Sequence, residues 1–423
     1  MFALYHTLLT VVILLTLPVW IWRYFTTPKY RGTVLPRLGI LPPEPPAHAP
    51  RIWLHAVSVG EVMAARALAV RLLETFPDHP LVISTVTRTG QQVARERIPE
   101  ANAFYYLPID LPPFIHPLVR RIRPRLLVVM ETELWPGLFR VVAGQGVPIC
   151  VVNGRISPRS FRRYHAVRFL TRRLLAQGRL FLMQSAPDAE RLIAMGARPE
   201  RVVVTGNLKY DQALKSPDPE QARLLAARLP RPGQPVWIAA STHPGEEEIL
   251  LDLHKRLLTH PLAPRLILVP RHPERSAAVA ALAHQRGLAV QHFSRTHGNW
   301  DAPLLLVDEI GWLANLYRWG QWVFIGGSLV PHGGQNMLEA AACGVPVLYG
   351  PHVFNFREIS EQLEQCGGAI RIRNGEMLYD RMVMLLENPA QCQAMGAAAR
   401  AVIPANAGAL ERTVQAIQRV LAE

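Results

Sequence analysis

The chain has few cysteines and few lysines. The first shortage argues against particular kinds of scaffold and site, and the second shows which residue type carries the positive charge. Among 423 residues there are four cysteines, widely spaced and without a CxxC pair, which argues against a disulfide scaffold and does not predict a zinc site. Lysine occurs only at Lys29, Lys209, Lys215 and Lys255. Arginine therefore carries nearly all of the formal net charge of +14, and its planar guanidinium suits phosphate and other oxyanions.

Charged residues are also scarce, at 18%, whereas hydrophobic residues make up 49%. Such a composition predicts a folded protein without long disordered tracts. Its length favours two domains over one. Neither a Cys/His finger nor a basic region followed by heptads occurs, so we expect the arginine excess to meet membrane lipid or a phosphorylated substrate, with no nucleic acid as partner.

The N-terminal segment is apolar. Residues 2–22 read FALYHTLLTVVILLTLPVWIW, close to the roughly 20 residues that a helix needs to span a bilayer. No basic region precedes the run and no A-x-A-like site follows, which favours a retained anchor over a cleaved signal peptide. Positive charges follow at Arg23, Lys29, Arg31 and Arg37. They predict a single anchor helix over residues 1–25 with the rest of the chain cytoplasmic, although Pro18 leaves open a helix lying in the interface.

Beyond a proline-rich connector, short apolar runs alternate with amphipathic stretches, a pattern typical of βαβ units. In the first half we expect strands at residues 51–56, 81–85, 126–130, 149–152 and 180–183. A second series is expected at residues 236–241, 266–270, 304–308, 322–327 and 346–350. The sequence therefore predicts an α/β fold of two Rossmann-like domains facing a cleft, with ligands at the carboxyl ends of the strands.

The domain bounds follow from composition. The stretch between the two series, residues 211–235, is rich in proline and charge and predicts a linker. We therefore expect the N-terminal domain at residues 26–210, after the anchor helix, and the C-terminal domain at residues 236–423.

Two acidic motifs follow strands of the first half. The segment Ser58–Glu61 (SVGE) fits a capping box in which Glu61 accepts the Ser58 N–H, and it fits equally a general base at the top of a strand. Glu131 and Glu133 follow another strand. If that strand continued, they would share a face and orient a substrate; if a helix started there, they would favour its positive end.

Basic and glycine-rich loops follow other strands. Lys209, in GNLKYD, is placed to reach a phosphate or to form a salt bridge near the linker. The segment 241–248 (STHPGEEE) is typical of a helix start, whereas Arg271 and His272, in PRHPER, suit an anion. The segment 326–339 (GGSLVPHGGQNMLE) has the order strand, glycine-rich loop and helix; backbone N–H groups at the helix start would bind phosphate, and Glu339 would hold ribose hydroxyls. Because this segment matches neither GxxxxGK[ST] nor GxGxxG, ATP hydrolysis and dinucleotide redox chemistry are disfavoured.

Together these motifs resemble 3-deoxy-D-manno-octulosonic acid (Kdo) transferase, the family that moves Kdo from CMP-Kdo to the lipid A precursor of Gram-negative bacteria. The matching motifs occur in family order: HAVSVGEV, ETELWPGL, NGRIS, GNLKYD, STHPGEE, PRHPER, GGSLVPHGGQNMLEAA and GPHVFNF. The resemblance implies a GT-B fold and an inverting transfer that needs no metal or cofactor. It also implies CMP-Kdo as donor, the precursor lipid IVA as acceptor, and inner-membrane lipids as partners, with the catalytic domains on the cytoplasmic side of the bacterial inner membrane.

The resemblance also assigns roles to residues. Glu61 would be the general base, and Glu131 and Lys209 would support the transition state. Contacts to CMP are implied at Arg271, His272, Ile310, Gly311, Trp312, Asn336, Met337, Leu338 and Glu339. The chain departs from the family pattern at Trp312, where many relatives have glutamate, so that residue would act through its backbone or by stacking. Gln335 likewise stands where relatives often carry histidine.

Two alternatives remain. One is a different GT-B protein, such as a lipid-linked hexosamine transferase or a sugar-nucleotide epimerase, which nucleotide preference would distinguish. The other is a membrane-tethered sensor that binds a nucleotide sugar without turnover. The retaining GT-B pattern is missing, because Val347 stands eight residues after Glu339 where a second glutamate is expected.

Overall fold

The computed structural model describes residues 2–27, 32–41, 49–214 and 219–422. Contacts divide the chain into two compact units. Unit 1 comprises residues 1–212 and 407–423, and unit 2 comprises residues 213–406. Each unit contains one sheet of seven parallel strands.

In unit 1 the strand order is β3-β2-β1-β4-β5-β6-β7. The strands are β1 (Arg51–His55), β2 (Leu81–Thr85), β3 (Ala103–Tyr106), β4 (Pro124–Met130), β5 (Ile149–Gly154), β6 (Leu180–Met183) and β7 (Val202–Val204). The helices are α1 (Phe2–Thr26), α2 (Val34–Arg37), α3 (Val59–Thr75), α4 (Arg88–Arg97), α5 (Pro112–Ile122), α6 (Pro136–Ala143), α7 (Pro158–Ala166), α8 (Arg168–Leu175), α9 (Ala186–Ala194) and α10 (Leu208–Ala213).

In unit 2 the order is β10-β11-β9-β8-β12-β13-β14. The strands are β8 (Val236–Thr242), β9 (Arg265–Pro270), β10 (Val290–His292), β11 (Leu304–Leu306), β12 (Trp322–Ile325), β13 (Val347–Tyr349) and β14 (Ala369–Arg371). The helices are α11 (Pro219–Arg228), α12 (Glu247–Leu257), α13 (Ser276–Gln285), α14 (Leu313–Leu316), α15 (Leu338–Ala342), α16 (Arg357–Gln365), α17 (Gly375–Glu387) and α18 (Pro389–Asn406). The last helix, α19 (Ala409–Ala422), belongs to unit 1.

The central strands are buried on both faces. In β1, Trp53 packs with Phe139 of α6 on one side of the sheet, whereas Leu54 packs with Leu68 of α3 and Ile417 of α19 on the other. Successive side chains of a strand point to opposite faces, so helices on both sides produce the continuous apolar runs seen in the sequence. Complete burial of a side chain such as Ile417 stabilises the unit by about 2 kcal/mol.

The predicted pair of Rossmann-like α/β units is confirmed, and each of the ten predicted strands is present. The prediction missed β3, β7, β10 and β14, which are the two edge strands of each sheet. These strands have three or four residues and are mostly not fully buried. An edge strand is covered less than a central one, so its sequence lacks the long apolar run on which the prediction relied.

The bounds of the two units differ from the predicted domain bounds at both ends of unit 2. Residues 407–423, expected in the C-terminal domain, pack with unit 1. There the Asp211 carboxylate accepts the Gly408 N–H at 2.7 Å and the Leu410 N–H at 3.2 Å, and Ile417 is buried. The predicted linker contains α11, which belongs to unit 2. Two of the positive charges that follow the predicted anchor helix, Lys29 and Arg31, lie outside the described residues.

Helix α1 is the apolar segment predicted from the sequence. Its residues Tyr5–Thr26 have a mean hydropathy of 1.8 and are long enough to cross a membrane. Most of its large side chains are exposed, Leu15 by 76%. The first turn of α1 instead contacts the rest of unit 1, because the Tyr5 hydroxyl donates to the Asp110 carboxylate at 2.9 Å. An exposed apolar helix of this kind is consistent with a membrane anchor.

Candidate functional site

The carboxyl end of the unit 1 sheet carries the predicted catalytic groups. Glu61 lies in the first turn of α3, directly after β1, and its side chain is buried, with 7% exposed. The Val57 N–H donates to Oε2 at 2.7 Å, and the Ser58 hydroxyl donates to Oε1 at 3.1 Å. The expected capping box is therefore wrong in its donor, because Glu61 accepts the N–H of Val57 and not that of Ser58. Each oxygen keeps a lone pair that can accept a proton.

The electrostatics of the site favour a base. Burial raises the pKa of Glu61 from 4.5 to about 8, the nearby charges of Glu131 and Glu133 raise it as well, and its two hydrogen bonds lower it. Burial and Glu131 also raise the pKa of Glu133. A carboxyl with a pKa near neutral pH is well matched to general base catalysis.

Glu131 and Glu133 lie in a loop between β4, which ends at Met130, and α6, which begins at Pro136. Neither sequence alternative holds, since the strand does not continue and the helix has not begun. Glu131 has a φ of 52°, and its N–H donates to the Val152 carbonyl at 2.9 Å. A left-handed backbone at a residue other than glycine costs about 1 kcal/mol or more, and such residues concentrate at functional sites.

Lys209 belongs to the same group of charges. Burial lowers the pKa of its ammonium, the charges of Glu131 and Glu61 raise it, and Arg155 lowers it. A buried amide network holds the start of α10, where Lys209 lies. Asn207 accepts the Lys209 N–H at 3.0 Å and donates to Gln184 at 3.0 Å, and Gln184 donates to the Asn153 carbonyl at 2.9 Å. The structure thus brings Glu61, Glu131 and Lys209 close enough for their charges to interact.

A cavity of about 710 Å³ opens beside Glu131 within unit 1, and neither Glu61 nor Lys209 is among its lining residues. Its wall includes Glu131, Glu133, Trp135, Arg155 and Tyr164, and also Tyr5 and Leu8 of α1. The volume suits a small ligand or part of a larger one. Sequence reasoning missed one residue that shapes this wall. The buried Asp110 carboxylate accepts the N–H groups of Gly137 and Leu138 at 2.8 Å each and so holds the start of α6.

In unit 2 the glycine-rich loop does not present its first N–H groups to a ligand. The Glu246 carboxylate is fully buried and accepts the N–H groups of Gly327, Ser328 and Leu329 at 2.7, 3.0 and 2.9 Å. It also accepts the His243 N–H at 3.0 Å. An internal carboxylate therefore already occupies these three N–H groups, whereas the phosphate site predicted at the helix start farther along the segment stays a prediction.

A cationic cluster lies beside that loop. Arg271 and His272, both exposed, follow β9. The rings of His243 and His332 stack with centroids 4.3 Å apart, and His272 meets His243 edge to face at 6.3 Å. Burial and then these neighbouring charges lower the pKa of His243 to about 4. Gln335, the departure from the family pattern, lies with its Nε2 3.1 Å from the His243 Nε2. Sequence reasoning missed His243 and His332, whose motifs were interpreted as a helix cap and a glycine loop.

The remaining predicted contacts of unit 2 form two further sets. Asn336 donates to Glu339 at 3.0 Å, whereas the side chains of Met337 and Leu338 are fully buried, so only their backbones are available to a ligand. Trp312 donates to Glu309 at 2.9 Å and packs against Phe293. Two neighbours of Trp312 in the predicted contact segment are Gly311, whose φ is 97°, and Ile310, which is 74% exposed. Within the described residues, no group of three or more His, Cys, Asp or Glu side chains is placed to hold a metal ion.

Solved structures with the same fold include two with different chemistries. A glycosyltransferase from Rickettsia africae superposes with a TM-score of 0.58 at 13% identity, covering 89% of this chain and all of that one. UDP-GlcNAc 2-epimerase from Neisseria meningitidis superposes with a TM-score of 0.59 at 14% identity, covering 87% and 100%. At such identities the likeness shows the fold alone, and that fold is GT-B.

Sequence comparison identifies the family. The family model described as 3-Deoxy-D-manno-octulosonic-acid transferase (kdotransferase) matches residues 33–212. The 3-deoxy-D-manno-octulosonic acid transferase of Haemophilus influenzae is 34% identical over 398 residues, 93% of each chain. That of Bordetella pertussis is 35% identical over 412 residues, 94% of this chain and 92% of the relative. The chain therefore belongs to the 3-deoxy-D-manno-octulosonic acid (Kdo) transferase family of GT-B glycosyltransferases.

Proposed function

We propose that the protein transfers Kdo from CMP-Kdo to the lipid A precursor lipid IVA, with inversion at the anomeric carbon and with Glu61 as general base. The observation that carries this proposal is the Glu61 carboxylate, which is buried, held by two hydrogen bonds and perturbed to a pKa of about 8 at the carboxyl end of β1. Such a group suits removal of a proton from an acceptor hydroxyl.

The reaction needs one displacement. Glu61 takes the proton of a glucosamine hydroxyl as that oxygen attacks the anomeric carbon of Kdo, and the bond from that carbon to the phosphate oxygen breaks, so that CMP leaves with the electron pair. Negative charge then grows on the departing phosphate. The Lys209 ammonium supplies positive charge to the transition state. The Glu131 carboxylate positions this ammonium, so both residues support the transition state.

The donor nucleotide is assigned to unit 2. Arg271 and His272 are exposed and cationic or polar, and they stand beside His332, so they suit the phosphate of CMP. The other proposed contacts are Ile310, Gly311, Trp312, Asn336, Met337, Leu338 and Glu339. Of these, Met337 and Leu338 act through the backbone, since their side chains are buried.

Membrane attachment completes the proposal. We assign α1 as the single anchor that keeps the enzyme on the cytoplasmic face of the bacterial inner membrane, where the lipid acceptor is found. The bond between Tyr5 and Asp110 keeps the first turn of α1 on the same side of the bilayer as unit 1. A helix that spans a core about 30 Å thick would carry Tyr5 to the opposite side. This contact supports the alternative in which α1 lies in the interface.

Mass spectrometry of lipid IVA incubated with CMP-Kdo and the full chain in detergent tests the proposal. We expect the acceptor to gain the mass of Kdo with the wild-type protein and not with Glu61→Gln, which keeps the size of the side chain but removes the base. Glu74→Gln is the matched control, because Glu74 is an exposed glutamate near the other end of α3. Transfer by Glu61→Gln at the wild-type rate would assign the base elsewhere, and no transfer by the wild-type protein would overturn the proposed donor or acceptor.

A further inference from the structure

His55, the last residue of β1, is completely buried and makes an unusual set of contacts. Its Nδ1 lies 2.8 Å from the Ser84 hydroxyl oxygen, which accepts the Trp53 indole N–H at 2.7 Å. Because Ser84 receives that N–H, its own proton is free to be donated to His55 Nδ1. Burial lowers the pKa of His55 to about 4. Burial therefore favours the neutral ring.

The second nitrogen of His55 is left without a hydrogen bond. Among the described residues Nε2 has no partner, although it is buried. An unsatisfied buried polar atom costs about 1–3 kcal/mol, so this nitrogen does not stabilise the fold. Instead the imidazole packs against Trp135, edge to face, with ring centroids 6.5 Å apart and an interplanar angle of 77°. This is a favourable aromatic geometry.

Trp135 is held on its backbone side as well. It is the residue before α6, and its carbonyl accepts the Phe139 N–H at 2.9 Å. The next residue is Pro136, which restricts the backbone of the turn. The following two N–H groups are bound by the buried Asp110 carboxylate. The indole is thus restrained by the helix start below it and by His55 beside it, while it forms part of the cavity wall next to Glu131 and Arg155.

We propose that Trp135 is the surface on which a glucosamine ring of the acceptor stacks, and that His55 is the residue that positions it. This inference rests on the proposed function. A pyranose ring presents C–H groups on its faces and hydroxyls around its rim, so an indole packs against the face. The carboxylates of Glu131 and Glu133 then accept rim hydroxyls, and the Arg155 side chain suits an anionic substituent of the same sugar. Glu61 would deprotonate a hydroxyl of the sugar held in this way.

The test is steady-state kinetics of the detergent-solubilised full chain, with the Michaelis constant (KM) measured separately for lipid IVA and CMP-Kdo. We expect Trp135→Leu to raise the acceptor KM about tenfold, equivalent to about 1.4 kcal/mol, and to leave the donor KM unchanged. His55→Leu should raise the acceptor KM by a smaller factor, about threefold, because it only releases the indole. His55→Gln, which can accept from Ser84 and still offers an N–H, should restore most of the acceptor affinity.

Thermal melting separates positioning from a structural role. His55→Leu removes an unpaired buried nitrogen but also removes the partner of the Ser84 hydroxyl, so its melting temperature should stay close to that of the wild type, whereas loss of a structural residue would lower it. His79→Leu is the matched control. His79 also has an unpaired ring nitrogen and stacks on Phe76, but it precedes the amino end of β2, at the opposite edge of the sheet. Its substitution should leave both KM values unchanged.

Three outcomes would decide against the inference. An unchanged acceptor KM in Trp135→Leu would show that no sugar stacks there. Equal increases in donor and acceptor KM would show a general distortion of the protein. A His55→Leu protein that melts lower and is not rescued by Gln would assign His55 a structural role. Absence of any transfer by the wild-type protein would instead refute the proposed function on which the inference depends.

Discussion

Replacing Glu61 by glutamine should stabilise unit 1 in a way that depends on pH. Burial raises the pKa of Glu61 from 4.5 to about 8. The folded state therefore holds the proton at pH values where the unfolded state has lost it. Stability of the wild type is complete below pH 4.5, falls as the pH rises towards 8, and is constant above it. Glutamine does not ionise, so Glu61→Gln escapes this loss.

The expected magnitude follows from the two pKa values. Ionisation of Glu61 destabilises the folded wild type by about 0.8 kcal/mol at pH 5 and about 4 kcal/mol at pH 8. The stability difference between variant and wild type should therefore widen by about 3 kcal/mol between these pH values. For a unit of this size, about 2–4 °C of melting temperature corresponds to each kcal/mol, so the difference should widen by roughly 6–12 °C.

The assay is thermal melting of both proteins in detergent from pH 5 to pH 8, with Glu74→Gln as the exposed control. In parallel, wild-type kcat/KM should rise with pH up to about 8, because only the ionised carboxylate acts as a base. Melting temperatures of Glu61→Gln and wild type that run parallel across this range would refute the reasoning. Glu61 would then be ionised in the folded protein with an ordinary pKa.

Three further predictions concern other charged and nucleophilic groups. Lys209→Met should lower kcat by roughly 10²–10³-fold with the donor KM little changed, because it removes positive charge from the transition state; an equal rise in donor KM would contradict this role. Arg275→Met should destabilise unit 2 by about 3–5 kcal/mol, since it leaves the fully buried Glu247 without its ion pair, and adding Glu247→Gln should recover part of the melting temperature. A maleimide should label the exposed Cys366 of the folded protein and spare the buried Cys150, because burial raises the pKa of the Cys150 thiol to about 12; modification of Cys150 before unfolding would contradict its burial.

The fold was predictable where burial leaves a strong pattern in the sequence. In β4 the run of residues 126–130 is buried and apolar throughout, so the position of this strand follows from the sequence alone. The edge strand β7 is an apolar run of only three valines, two of them exposed, and so short a run does not indicate a strand by itself. The position of α19 could not be predicted either. Its attachment to unit 1 depends on contacts of Asp211 with residues almost 200 positions away in the chain, and composition does not report contacts between distant segments.

The sequence predicted which types of residue the site contains. It did not predict all of their hydrogen-bond partners or their backbone conformations. Ser58 and Glu61 were correctly expected at a helix start, but the donor to Glu61 is Val57, because the backbone before the helix is extended and brings that N–H to the carboxylate. The acidic loop after β4 was expected to be strand or helix. It is neither, since the backbone turns at Glu131 with a positive φ that no local pattern indicates in a residue other than glycine.

The glycine-rich loop of unit 2 shows why a motif must be tested against its surroundings. Three consecutive N–H groups form an anion site there, but Glu246, about 80 residues earlier, supplies the anion. A phosphate brought to the same groups would face a buried carboxylate and be repelled. Recognition of the donor phosphate in the proposed reaction therefore does not use these three N–H groups, and the exposed Arg271, which follows β9, supplies a positive charge near His243. An exposed cation such as Arg271 is screened by salt, so donor affinity should weaken as ionic strength rises.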